Sequence, residues 1–304
     1  MKKRLCIIGS SNIDFIMTLD HLPRPGETVT GGTYMQAMGG KGANQAVAAA
    51  RAGAEVTFVS CLGDDIYRPG MIQGFQDDGI DTSHIKSVDN TSSGTALIMI
   101  QDGGENCIGV APGANYKLLP EDIDPALVAE SGYIILQNEL LADTANHVLK
   151  LAKEVDTKVI MNYAPVCEMA SSIVDLHGLI VNETEANALL GKDPDDTGYE
   201  TSIMALAEKG PYFVILTLGS EGALIVEDST LFKVASFRVD AQDTTAAGDT
   251  FCGALAAALI DGQSLQQAAC FANAAAAISV TRIGAQPSIP TLSEINSFLS
   301  ENKD

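Results

Sequence analysis

Tyr133-Ile134-Ile135-Leu136-Gln137 is a short apolar run rich in β-branched residues, and Lys158-Val159-Ile160-Met161 is another. Between them lies the longer amphipathic stretch 142–153. Short apolar runs predict buried strands, and apolar residues recurring at three- and four-residue spacing predict a helix, so the segment reads strand, helix, strand. The alternation continues in both directions. Strands are predicted over 5–8, 56–61, 133–137, 158–161, 179–181, 213–217 and 223–226. Helices are predicted over 43–52, 67–77, 142–153, 183–190, 200–208, 248–260 and 265–281, the last starting after Ser264 as N-cap. This order implies a mostly parallel sheet covered by helices, a doubly wound α/β fold. Open α/β sheets reach 304 residues around one core, so a single domain spanning 1–304 is expected.

Two segments break the alternation: the Pro- and Gly-punctuated stretch 15–38, and 95–110, where Asp102-Gly103-Gly104-Glu105 separates two strand-like runs as a hairpin would. Both read as antiparallel. They would form either a small sheet standing off the main one, as a lid or a subunit contact, or an ordinary edge hairpin. No apolar run approaches the roughly 18 residues that span a bilayer. The apolar run after Met1-Lys2-Lys3-Arg4 is too short for a signal peptide, so a soluble, cytoplasmic protein is expected. The six cysteines (Cys6, Cys61, Cys107, Cys167, Cys252, Cys270) are scattered without a C-x-x-C pair, which predicts buried free thiols, with neither disulfides nor a zinc site. A formal net charge of −21 argues against nucleic acid and acidic membranes as partners. Any phosphate ligand must then be held locally, by a helix N-terminus, a few placed cations and bound Mg²⁺.

The densest chemical signal is Asp243-Thr244-Thr245-Ala246-Ala247-Gly248-Asp249-Thr250-Phe251, small residues leading into a helix with Phe251, Leu255 and Leu259 on one face. Unpaired N–H groups and the macrodipole make its start a place for growing negative charge. Asp249 in that first turn is either a helix cap or a base that takes a proton from a substrate hydroxyl. Gly39-Gly40-Lys41-Gly42-Ala43-Asn44-Gln45-Ala46 also opens a helix, but Met35 and Gly42 stand where a Walker A loop needs Gly and Ser/Thr. It is either a plain helix start or a turn that gathers backbone amides, Lys41 and Asn44 around a polyhydroxylated or anionic ligand. Gly9-Ser10-Ser11-Asn12-Ile13-Asp14 follows the first strand and departs from a dinucleotide fingerprint at Ser11 and Asp14. Asn12 and Asp14 offer an amide and a carboxylate to vicinal hydroxyls, or simply form a turn. Asn182-Glu183-Thr184-Glu185 reads as a capping sequence, or as Mg²⁺ ligands acting through water; Thr217-Leu218-Gly219-Ser220-Glu221-Gly222 reads as a phosphate-bearing turn or a chain reversal.

Together with Val280-Thr281-Arg282-Ile283-Gly284-Ala285-Gln286-Pro287-Ser288, these motifs closely resemble the ribokinase-like members of the phosphofructokinase B sugar-kinase family, in order along essentially the whole chain. The resemblance implies a three-layer α/β/α fold with a β lid, formed by about 15–38 and 95–110, that clasps a second subunit into a homodimer. It implies ATP-dependent phosphorylation of D-ribose at the 5-hydroxyl. Asn12, Asp14, Gly40, Lys41, Asn44, Glu139 and Asp249 would bind ribose, and Asp249 would be the base. Ala247, Gly248 and Asp249 would offer amides to the transferring phosphoryl group. Asn182, Thr217, Gly219, Ser220, Gly222, Gly248 and Asn273 would line the nucleotide site, with Asn182 and Glu185 governing Mg²⁺ through water. Asp243, Thr245, Ser279, Arg282, Gly284 and Ser288 match a loop that holds an activating K⁺. Three positions depart from the family pattern. Ala246 replaces a common Gly, which is tolerable if its φ is negative. Asn138 stands before Glu139 where an apolar residue is common, and Asn273 stands where some relatives have His. The chief rival substrate is 2-deoxyribose, with Asn12 as the discriminating residue, since a polar group there suits a 2-hydroxyl; another sugar or a nucleoside is the further alternative within the family. A non-catalytic sugar-binding regulator on the same fold is the alternative from another class.

Overall fold

The computed structural model describes residues 4–101, 103, 105–166 and 173–302; Cys167, Asp102 and Gly104 lie outside them. In chain order the strands are β1 (Arg4–Ile8), β2 (Asn12–Leu19), β3 (Thr33–Gly39), β4 (Val56–Gly63), β5 (Ile85–Val88), β6 (Gly94–Gln101), β7 (Asn106–Ala111), β8 (Ser131–Gln137), β9 (Lys158–Asn162), β10 (Gly178–Asn182), β11 (Phe213–Thr217), β12 (Ala223–Glu227) and β13 (Thr230–Val234). The helices are α1 (Lys41–Arg51), α2 (Arg68–Asp77), α3 (Pro125–Glu130), α4 (Ala142–Glu154), α5 (Glu183–Leu190), α6 (Tyr199–Ala207), α7 (Ala247–Ile260), α8 (Leu265–Ser279) and α9 (Leu292–Glu301).

The main sheet runs β13-β12-β11-β10-β9-β8-β1-β4-β5. It is parallel from β11 to β5, and β12 and β13 add antiparallel. Alternate side chains of each strand point to opposite faces, which sorts the apolar residues into two layers. Ile8, Ile134, Leu136, Val159, Val181 and Val214 meet α3 to α6 on one face. Leu5, Ile7, Phe58, Ile135, Ile160, Ile180 and Ile215 meet α1, α2, α7, α8 and α9 on the other. Three layers result, as the resemblance implied. The predicted strands and helices all form, most of them with ends shifted by a residue or two. Ser264 is the N-cap of α8, accepting from Gln267 N, and that helix stops at Ser279, two residues short of the expected 281. Cys6, Cys61 and Cys252 are buried thiols, as predicted; Cys107 is exposed on β7.

The irregular segments form a second, four-stranded sheet ordered β3-β2-β6-β7. Each hairpin is antiparallel as read, but β2 and β6 join them in parallel. β2 begins at Asn12, three residues before the segment of about 15–38 expected for the lid. Asn12 and Asp14 therefore sit on the root of the small sheet, with no turn between them and it. This root meets α1 where Gly40 (φ 90°) turns the chain, in backbone space that a side chain rarely occupies.

Helices α1 and α7 cross at Gly253, where an added Cβ would lie 2.5 Å from Gln45 O and 2.6 Å from Ala48 Cβ. Hydrogen there lets the two helices touch and sets the spacing of the residues they carry. Gly253→Val is expected to lower stability by about 1–3 kcal/mol through overpacking, read from the urea midpoint. An unchanged midpoint would show that the helices have room to spare.

Candidate active site

Asp249 occupies the first turn of α7 and is buried. Asn44 Nδ2 donates to its Oδ2 at 3.0 Å, and Gln45 Nε2 donates to its Oδ1 at 2.9 Å. Gln45 is itself held: its Nε2 also donates to Asn162 Oδ1 at 3.1 Å, and its Oε1 accepts from Gln137 Nε2 at 2.8 Å. This buried amide network fixes the carboxylate plane of Asp249. It rules out a simple capping role, since Ala246 is the N-cap residue and Asp249 turns inward to α1. Gln45, Gln137 and Asn162 escaped the sequence reading. Gln137 and Asn162 end parallel strands, the place where ligands of such sheets gather, and that rule could have found them.

Around Asp249 the predicted sugar ligands converge. Asn44 N donates to Gly40 O at 2.9 Å, and Lys41 N donates to Glu139 at 3.0 Å. Ser10 Oγ also donates to Glu139, tying the β1–β2 link to the same carboxylate. Asp14 packs so tightly on Gly39 that a Cβ there would sit 2.1 Å from its Oδ2. Burial, then the neighbouring Glu139 and Asp249 carboxylates, pushes the Asp14 carboxyl up to about 6. The Lys41 ammonium is held above the ordinary lysine value by Asp249 first, with Glu139 and Glu185 adding to it. Asn44 Oδ1 is buried without a protein partner, an acceptor ready for a hydroxyl. Asn138 turns away, its Nδ2 donating to Pro165 O at 3.0 Å.

Two cavities meet at the start of α7. The outer one, about 520 Å³, is lined by Thr217, Gly219, Ser220, Gly222, Gly248 and Asn273 of the predicted nucleotide set. Phe237, Arg238 and Val239 complete its wall from the irregular segment before α7, where no sequence pattern marked them. Asn273 Nδ2 donates to Ala235 O at 3.1 Å and so anchors that segment. The inner cavity, about 250 Å³, is lined by Lys41, Asn182, Glu185, Asp249 and Cys252. Thr217, Thr244, Ala247 and Gly248 border both cavities. Asn182 thus belongs to the inner chamber, which it shares with Thr217 and Gly248 but not with Gly219, Ser220, Gly222 or Asn273 of the predicted nucleotide set. It also caps α5 in a reciprocal capping box with Glu185, each accepting from the other's backbone N at 2.8 Å. The capping reading and the cavity reading hold together, although Glu185 is buried where a plain cap would be solvated, and burial raises its carboxyl above the usual range.

At the helix start, Thr250 N is the first amide to close on the helix, bonding Ala246 O at 2.8 Å. Ala247 N donates to Thr244 O at 3.2 Å, so it is partly committed to the turn. The amides of Gly248 and Asp249 carry no hydrogen bond among the described residues. Ala246 has φ 58°, so the negative φ on which an easy fit of its Cβ depended is not met. The left-handed turn is imposed by its surroundings, at a local cost of roughly 1–2 kcal/mol for a residue with a Cβ. Asp243 supplies part of that constraint: its Oδ1 accepts from Thr245 N at 2.9 Å, and its Oδ2 accepts from Gly284 N at 2.8 Å. Ser279 and Ser288 hydroxyls donate to nearby carbonyls, and the Arg282 guanidinium reaches Glu294 at 2.5 Å, leaving only its backbone for such a site. Among the described residues no cluster of three or more His, Cys, Asp or Glu is placed to hold a metal ion.

The model of the pfkB family carbohydrate kinases matches residues 2–292. The chain belongs to that family. It is 40% identical to a ribokinase of Haemophilus influenzae, over 98% of this chain and 99% of the relative. It is 34% identical to a deoxyribokinase of Salmonella typhimurium, over 98% and 99% of the two chains. The structure of an Arabidopsis thaliana ribokinase complexed with ribose and ATP superimposes with a TM-score of 0.91 at 30% identity, over 98% of this chain and 99% of that one. This pfkB kinase is therefore a sugar kinase, a phosphotransferase acting on an alcohol group.

Asp14 gives the site a pH signature. Its carboxyl ionises near 3.8 when the chain is unfolded and near 6 when folded, so folding favours its protonated form. The resulting penalty is absent below pH 3.8 and complete above about pH 6. Asp14→Asn should therefore stabilise the substrate-free pfkB kinase by about 1–3 kcal/mol at pH 7 and by only about 0.5 kcal/mol near pH 4. Denaturant melts at the two pH values check this, and an equal effect at both would refute it.

Proposed function

We propose that the chain transfers the γ-phosphoryl group of ATP to the 5-hydroxyl of D-ribose, giving ribose 5-phosphate and ADP. The observation that carries this reading is Asp249, clamped by Asn44 and Gln45 beside two free amides at the junction of the cavities. Ribose would lie among Asn12, Asp14, Gly40, Lys41, Asn44 and Glu139. The nucleotide would lie in the outer cavity, with its terminal phosphate at Ala247 and Gly248. Asp249 takes the 5-hydroxyl proton, the oxygen forms a bond to the γ-phosphorus, and the bond to the ADP oxygen breaks. The Gly248 and Asp249 amides, supported by the helix dipole, stabilise charge on the phosphoryl oxygens. Lys41 adds a positive charge to the inner cavity.

Glu185 and Asn182 fit Mg²⁺ held through water, since a buried carboxylate with raised affinity for protons benefits from a divalent neighbour. When bound, that ion neutralises the phosphates. The loops joined by Asp243 and Gly284 fit a K⁺ site built mainly from carbonyls, which would hold the strained turn at Ala246 in place. The small sheet presents Ile16, Met35, Ile98, Ile108 and Val110 on the face that carries Asp14, a continuous apolar surface suited to a second copy of the chain. A homodimer through this lid is part of the proposal, and sedimentation at the mass of one chain would refute it. The buried thiols suit a reducing, cytoplasmic setting.

The deoxyribokinase relative keeps 2-deoxyribose as the second reading, and Asn12 favours ribose over it. ADP release should be highest with ribose in a panel of pentoses, hexoses and nucleosides, and it should need K⁺. A higher kcat/KM for 2-deoxyribose would reverse the assignment, and equal rates in K⁺-free buffer would remove the cation loop. Asp249→Asn should cut kcat by roughly 10²–10⁴-fold while leaving ribose binding by calorimetry largely unchanged. Unaltered turnover would take Asp249 out of the mechanism.

A further inference from the structure

The Asn12 side chain has an accepting end and a donating end, and its neighbours decide which one a sugar meets. Ser11 N donates to Asn115 Oδ1 at 2.9 Å, and Asn115 Nδ2 donates to Asn12 Oδ1 at 2.8 Å. A backbone N–H can only donate, so Asn115 must show it a carbonyl oxygen. The amino group of Asn115 then faces Asn12, which must answer with Oδ1. What Asn12 has left is Nδ2, a donor alone. Both side chains are buried, 3% exposed for Asn115 and 4% for Asn12. A Cβ on Gly94, the first residue of β6, would lie 2.1 Å from Asn12 Oδ1 and 2.2 Å from Asn115 Nδ2. Glycine there lets the strand close over the pair. Ala114 N donates to Ser92 O at 2.9 Å, which pins the Asn115 segment to the same strand root.

We propose that Asn115 is a positioning residue for sugar specificity: it locks Asn12 with its amino group toward the sugar, so the site selects an acceptor atom on the ring carbon that Asn12 faces. That carbon is C2 under the ribose reading, on which this inference rests. Asn115 does not touch the sugar. It acts by removing the freedom of Asn12 to turn over and present an oxygen instead.

A hydroxyl accepts or donates, so ribose alone does not report this polarity; 2-deoxy-2-fluororibose does, because fluorine accepts and never donates. KM and kcat would be measured for ribose, 2-deoxyribose and 2-deoxy-2-fluororibose with the wild type and with Asn115→Asp. In the wild type the fluoro sugar should bind between the other two, with a KM several-fold below that of 2-deoxyribose. The carboxylate introduced by Asn115→Asp still accepts from Ser11 N but cannot donate to Asn12, which turns its amino group inward and its oxygen outward. Ribose should then be largely retained, whereas the fluoro sugar should lose on the order of tenfold in KM and fall to or below 2-deoxyribose, with kcat little changed. Equal losses for all three sugars would reduce Asn115 to a structural role and overturn the inference. So would a wild type that uses ribose but treats the fluoro and deoxy sugars alike, a result that leaves the ribose reading standing and needs no folded variant. A wild type that phosphorylates no pentose would remove that reading, and the inference with it.

Discussion

Two amide side chains of α1, Asn44 and Gln45, hold the two oxygens of Asp249 on α7, and the site exists only because these helices touch. The contact depends on the missing side chain at Gly253. It also depends on the parallel sheet, which brings Gln137 and Asn162 to the same end of adjacent strands, where they fix Gln45. A reactive carboxylate on a helix start would otherwise turn toward its own backbone, as a cap does. Here the amide network turns it away from its own backbone and inward to α1. The network is buried, and although Asn44 Oδ1 and Gln137 Oε1 are left without a partner in it, its bonds hold both oxygens of Asp249 before any ligand enters.

Charge is managed on the same scale. The chain is strongly acidic, and its site gathers Asp14, Glu139, Glu185 and Asp249, yet its ligand carries phosphates. Lys41 lies among these carboxylates and is held in its charged form by them. The free amides of Gly248 and Asp249 add positive character without adding a counter-ion. Long-range attraction is therefore replaced by a few short-range donors at the start of α7.

Much of this was legible in the sequence. Apolar runs broken by helical spacing located the interior strands, because burial on both faces leaves little else in them. Glycines before α1 and small residues before α7 marked the two helix starts that meet in the site. Edge elements were missed: β5 (Ile85–Val88) is four residues long with Lys86 and Ser87 at its centre, and β13 (Thr230–Val234), although it holds Leu231, Phe232 and Val234, is a short run interrupted by Lys233. Helix α9 carried a readable signal in Thr291 and Glu294, which form a capping box. Gln45, Gln137, Asn162 and Asn115 act through neighbours far away in sequence, and only the fold brings those neighbours close. The left-handed turn at Ala246 ran against the residue's own preference, since tertiary constraint outweighed it.

Strand β2 carries Asn12 and Asp14 in its first three residues and then leaves the body of the molecule for the small sheet. Such a strand is a lever with its fulcrum beside Gly39 and Glu139. Its eight residues extend on the order of 25 Å, so a tilt of about 10° at the root sweeps the far end through about 4 Å. Whatever grips the root speaks to the outer sheet with a gain set by nothing more than strand length.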